Sequence, residues 1–161
     1  MPPPGELGRW LGRSARLRHG GVEADEGWRA LTDAARPEPE PTAAGAIAAA
    51  ARQVARTIGA KAIAAFTSTG STALRVARER PNRPILGITT SEAAARRLAV
   101  VWGVHPVVAP ELQSMSEMVA SALGVAQAEG FAGPGDEVVV TAGVPLGIPG
   151  TTNALRVAAV K

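Results

Sequence analysis

The chain has no cysteine and no tyrosine, and its aromatic residues amount to only 3% of 161 positions. Without cysteine there is no disulfide framework and no thiol chemistry. Scarce aromatics leave the core to Ala, Val, Ile and Leu, which suit helices packed closely on a sheet. His19 and His105 are the only imidazoles, and they are not spaced as a pair, which argues against a histidine metal site. No apolar run approaches the roughly 20 residues of a membrane span. The opening MPPPGELGRWLGRSARLRHG has arginines but no apolar stretch behind them, so it does not read as a secretory signal. A soluble chain in the reducing cytoplasm is the expectation, with no membrane partner.

The net charge is +3, and 46% of residues are hydrophobic, enough for one buried core. Arg9, Arg13, Arg16 and Arg18 crowd the start. They suit either a basic arm for nucleic acid or lipid, or a flexible leader. Neither aromatic interleaving nor helical spacing supports the arm, so no nucleic-acid partner is expected. ARPEPEPTA alternates proline with glutamate, which favours extended backbone and excludes helix. Residues 1–41 therefore read as a flexible N-terminal segment and linker, and residues 42–161 as one domain.

That domain alternates strand and helix patterns. TAAGAIAAAARQVARTIG sets Ile47, Ala51, Val54 and Ile58 on one helical face, with Thr42 capping the start and Gly59 the end. KAIAAFT reads as a buried strand, residues 71–80 as a helix stopped by Pro81, and PILGITT as a second strand. Ser91 caps a helix whose buried side holds Ala95, Leu98 and Val101, and VHPVVAP is a third strand. Ser114 and Glu117 form a capping box ahead of Met115, Met118, Ala122 and Val125. GPGDEVVVTAG gives a loop and a fourth strand, and ALRVAAVK a fifth, with Leu155, Val157 and Ala159 facing one way and Arg156 the other. Helices between strands imply a parallel sheet covered on both faces. The last two strands lack an intervening helix, so the fifth is expected antiparallel, at an edge. The expected fold is a three-layer α/β/α sandwich with a five-stranded, mostly parallel sheet.

TSTGSTA, residues 67–73, stands where the first strand hands over to a helix, and five of its seven residues carry hydroxyls. Ligands of such sheets bind beyond the carboxyl ends of the strands. The first turn of a helix offers unpaired N–H groups and a positive dipole end, together a place for an anion such as phosphate. Gly70 lets the backbone approach, and Thr67, Ser68, Thr69, Ser71 and Thr72 add donors. The stretch is neither a P-loop nor a dinucleotide fingerprint, having no Lys after a single glycine. The other reading is a turn that only caps its own helix.

Motif order carries a family resemblance. GAKAI, FT-x-x-G-x-TA, RP-x-x-PI, WGV-x-P, GD-x-VVVTAG-P and G-x-TN follow one another as in the C-terminal domain of pyruvate kinase, which residues 42–161 resemble. VEADEGWRALTDAARPEPEPTAA looks like the end of that enzyme's barrel and the link out of it. The resemblance implies phosphoryl transfer from phosphoenolpyruvate to ADP in a (β/α)₈ barrel with Mg²⁺ and K⁺. Only about 40 residues precede the domain, whereas a barrel needs at least about 200. The chain by itself is therefore expected to lack catalytic residues, to hold no cofactor and to be inactive as a kinase.

The resemblance also implies an allosteric site. Thr67, Ser68, Thr69, Gly70, Ser71 and Thr72 match its phosphate loop. PLGIPGTT, with Gly147, Gly150, Thr151 and Thr152, matches the loop that closes over effectors. Relatives that hold fructose 1,6-bisphosphate use cations for the second phosphate, but no Lys or Arg occurs from Leu98 through Leu155. A phosphorylated effector with one phosphate, a sugar monophosphate or AMP, is the expected partner, together with a weak homodimer through the edge strand. A sugar-phosphate isomerase and a ligand-free interaction module are the alternatives. Trp102, His105, Met115 and Met118 are expected to pack, and Arg96 and Arg97 to serve the negative end of their helix.

Overall fold

The computed structural model describes residues 38–145, 148 and 150–161. The N-terminal arginines, His19 and the start of the expected linker, residues 35–37, lie outside the described residues, as does Gly147.

Helix α1 (Ala43–Ile58) starts where expected: Thr42 Oγ1 accepts from Gly45 N at 3.0 Å, and Gly59 closes it at φ 71°. Its buried face differs from the expected one. Ala44, Ala48, Ala51 and Ala55 face the core, Ile47 and Val54 flank it, and Ile58 is exposed. The reason is steric. A stripe of alanines lets the helix axis come close to the sheet, which branched side chains on that stripe would prevent. Glu40, expected in the linker, reaches the domain: its carboxylate meets Arg75 Nε at 3.2 Å.

The remaining elements are β1 (Ala62–Phe66), α2 (Ser71–Arg78), β2 (Ile85–Thr89), α3 (Glu92–Leu98), β3 (Val104–Val108), α4 (Met115–Ala128), β4 (Glu137–Gly143) and β5 (Thr152–Ala159). Strand order is β3-β2-β1-β4-β5. The first four strands run parallel, with Ile63 opposite both Ile85 and Val139, and β5 runs antiparallel to β4. This is the expected mixed sheet.

Side-chain alternation divides the core. Ile63 and Ala65 face Ala51 and Ala55 of α1, Val76 of α2 and Leu98 of α3. Ala62, Ala64 and Phe66 face Ala122 and Ala126 of α4. On the second face Met115, Met118 and Val125 are packed but only partly buried. Met115 packs as the expected filler, whereas Met118 also lines a cavity at the strand ends. Val138, Val139 and Val140 are at most 1% exposed, and each such side chain contributes about 1.5–3 kcal/mol by leaving water. Two expected core positions stay at the margin. Val101 lies half-buried just beyond α3, and Val157 on the edge strand is 37% exposed. His105 is buried on β3 with Nε2 3.3 Å from Glu129 Oε2, and Arg80 stacks 4.5 Å from the Trp102 ring.

Topology places the site. The chain moves outward from β1 to β2 and β3, then returns across the sheet to set β4 on the other side of β1. The carboxyl ends of β1 and β4 therefore flank the switch in strand order, where connections diverge and leave a crevice.

Candidate functional site

A cavity of about 240 Å³ opens at these strand ends. Its rim is built from four segments: Phe66–Ser68 with Ser71 and Thr72, Ile88–Thr90, Ala109–Leu112, and Gly143 with the chain returning to β5. Phe66, Ile88, Leu112 and Met118 supply apolar walls, and hydroxyls of Thr67, Ser68, Ser71, Thr72, Thr89, Thr90, Thr151 and Thr152 supply most of the polar ones.

The turn after β1 is held from within. Thr67 Oγ1 accepts from Gly70 N at 2.8 Å, a buried bond. Gly70 then turns the chain into α2 at φ 99°, ψ −10°, a left-handed conformation that side chains with a Cβ resist. As the N-cap of α2, Gly70 brings no side chain to the helix's first amides. Those amides keep the donor capacity and partial positive charge of an uncapped helix start.

The opposite wall is fixed with equal economy. Asn153 acts as a strand extension: Val144 N donates to its Oδ1 at 2.8 Å, and its Nδ2 donates to Val144 O at 2.6 Å. Thr151 Oγ1 donates to Ile148 O at 2.8 Å. Gly143 permits the return, because a Cβ there would stand 2.7 Å from Thr151 Oγ1 and 2.9 Å from Thr151 O. Across the cavity Thr72 Oγ1 and Thr152 Oγ1 lie 2.7 Å apart, both residues buried. One hydroxyl donates to the other, so α2 and β5 are tied by a single short bond spanning 80 residues of chain.

The expected site residues are thus largely brought together. Thr67, Ser68, Ser71 and Thr72 from the first loop and Gly150, Thr151 and Thr152 from the second all line the same cavity. Thr69 and Gly70 stand behind the lining, Thr69 exposed and Gly70 buried. The whole wall contributed by the ends of β2 and β3, Ile88–Thr90 and Ala109–Leu112, was not expected from the sequence. Two charged residues of this region stand out. Glu111 brings a carboxylate to the rim; it follows β3, and all parallel strands end on the same side. Arg97 reaches the turn from α3, its Nη2 donating to Thr69 O at 3.3 Å. No spacing in the sequence links positions 69 and 97. Among the described residues no group of three His, Cys, Asp or Glu side chains could hold a metal ion.

Fold and cavity together define a three-layer α/β domain with a ligand-sized crevice whose donors are hydroxyls and helix-start amides. Comparison with known proteins gives the family. Residues 45–158 match the family described as "Pyruvate kinase, alpha/beta domain", and the chain belongs to the pyruvate kinase family. A pyruvate kinase of Methylorubrum extorquens is 46% identical over 137 residues, covering 85% of this chain and 29% of that protein. One from Clostridium acetobutylicum is 44% identical over 102 residues, 63% of this chain and 22% of the relative. One from Geobacillus stearothermophilus is 40% identical over 120 residues, 74% and 20% respectively. The chain spans less than a third of the length of these relatives.

Proposed function

We propose that this domain regulates a pyruvate kinase by binding a phosphorylated small molecule in the crevice between residues 67–72 and 150–152. One observation carries the reading: two segments about 80 positions apart, each rich in hydroxyls, line one cavity at an uncapped helix start. The phosphate sits against the α2 amides and the Ser68 and Ser71 hydroxyls. The carbon skeleton lies along Phe66, Ile88, Leu112 and Met118. Among the described residues no Lys or Arg lines the cavity and Glu111 does, so a second phosphate would meet a carboxylate where it needs a cation. This favours a sugar monophosphate or AMP over fructose 1,6-bisphosphate.

Ligand binding reaches the rest of the protein through the Thr72–Thr152 bond, which joins the turn to the chain closing the cavity. Family membership supports a place in glycolysis and in the cytoplasm. No helix among the described residues is long and apolar enough to cross a membrane. Phosphoryl transfer is assigned to no residue of this chain. β5 is an edge strand with Arg156 and Val157 exposed, and we propose it as the contact of a weak homodimer. Two facing Arg156 side chains limit its affinity.

Calorimetric titration of the chain with AMP, glucose 6-phosphate and fructose 1,6-bisphosphate tests the reading. Saturable binding of a monophosphate, tighter than the bisphosphate, is expected. Absence of binding by all three leaves an interaction module in place of an effector domain.

A further inference from the structure

Cations near the described domain surface mostly have partners. Arg96 Nη2 meets Glu92 Oε2 at 3.2 Å, Arg75 meets Glu40 at 3.2 Å, and Lys61 Nζ lies 3.9 Å from Asp136. Arg97, next to Arg96 in the last turn of α3, has no carboxylate within ion-pair distance among the described residues. Its guanidinium is instead docked on a neutral acceptor, the carbonyl of Thr69. Thr69 is the neighbour of Ser68, which lines the cavity, and consecutive Cα atoms are about 3.8 Å apart. A solvent-exposed positive charge, with no carboxylate partner among the described residues, therefore lies against the turn that presents Ser68 to the cavity. Among the described residues, the cavity's own lining contains no cation and one carboxylate, Glu111.

From this juxtaposition we propose that Arg97 determines specificity at the ligand site, selecting a doubly charged phosphate group over singly charged anions. This rests on the anion-binding reading above and deepens it. Hydroxyls and amides are neutral dipoles whose field falls off steeply with distance, so they add no net charge to the site, whereas a guanidinium adds a whole one. A fixed guanidinium interacts with the second charge as strongly as with the first. Arg97 touches no ligand in this account. It acts through space and by holding the Thr69 carbonyl, whose peptide orients the turn. Along α3 its neighbours are Glu92 and Arg96, already paired with each other; the neutral residues of the turn lie beside it, and Glu111 is the carboxylate on the cavity lining. Of these, Glu111 opposes the effect.

Titration with inorganic phosphate, followed by ³¹P NMR at about pH 5.5 and about pH 8, tests the proposal with wild type, Arg97→Gln and Arg97→Lys. Between these conditions phosphate passes from mostly singly to mostly doubly charged. Wild type is expected to bind several-fold more tightly at the higher pH. Arg97→Gln is expected to lose about three- to tenfold at the higher pH and little at the lower, the scale of one cation several ångströms from a dianion near a protein surface. Arg97→Lys keeps the charge and is expected to restore the pH preference, even where it braces Thr69 less well. Equal affinities for Arg97→Gln and wild type at both pH values would overturn the role of Arg97 while leaving the ligand site intact. A loss in Arg97→Gln that is the same at both pH values and is not restored by Lys would reduce Arg97 to a brace, and overturns the charge selection. Absence of phosphate binding by wild type removes the anion-binding reading, and this inference with it.

Discussion

Replacement of Thr72 by Val keeps the shape of the side chain and removes its hydroxyl, leaving Thr152 buried, 3% exposed, without its 2.7 Å partner. An orphaned buried hydroxyl costs about 1–3 kcal/mol. For a domain of this size, about 2 kcal/mol moves the urea midpoint by roughly 1 M at a slope of about 2 kcal/mol/M. Thr152→Val, by the same logic, orphans Thr72 and should cost a similar amount. The double variant removes both polar groups together, and the cost of the unpaired hydroxyl vanishes. It should therefore be more stable than the sum of the singles by about 1–2 kcal/mol. Urea unfolding followed by circular dichroism measures all four corners of this cycle, with an unchanged slope as the check that the comparison is valid. Additive costs, or singles within about 0.5 kcal/mol of wild type, would refute the claim that this bond ties α2 to β5.

Further expectations follow from single contacts. Gly70→Ala should destabilise the domain by about 1–2 kcal/mol through its left-handed backbone alone, since the new Cβ would meet Leu98 Cδ2 at an ordinary 3.5 Å; thermal unfolding measures it. Ser91→Ala removes the cap on Ala94 N and should cost about 1 kcal/mol, with a normal stability leaving the cap without weight. Gly143→Ala should lower AMP affinity while preserving the far-ultraviolet spectrum, because the clash falls on Thr151 and not on the strand ladder. Ala51→Leu, at a position with 0% exposure in the alanine stripe, should cost about 1–3 kcal/mol by overpacking, and an unaltered melting temperature would contradict the close approach of α1.

How legible the molecule was in its sequence depended on how local each cause is. Thr42, Ser91 and Ser114 announce helix starts because capping needs one side chain and an amide three residues on, and each makes that bond. The antiparallel course of β5 followed from a connection too short for a crossover. The buried face of α1 was not legible, because hydrophobicity ranks Ile and Val above Ala while the packed distance to the sheet selects Ala. The candidate site divided in the same way. Residues 67–72 announced themselves by composition, and the returning loop by family resemblance. Arg97 and Glu111 reach the site only through strand order and helix placement, which no local spacing encodes.

A phosphorylated ligand bound at the uncapped start of α2 must perturb the amides it touches, and a residue-resolved titration reads them one by one. Amide ¹H–¹⁵N spectra of the 16.4 kDa chain should be recorded during addition of AMP. The largest saturable shifts are expected at Ser68, Ser71, Thr72 and Ala73, with a second set at Thr151 and Thr152. Saturable shifts confined to the outer faces of α1 and β5, or none at millimolar ligand, would contradict it.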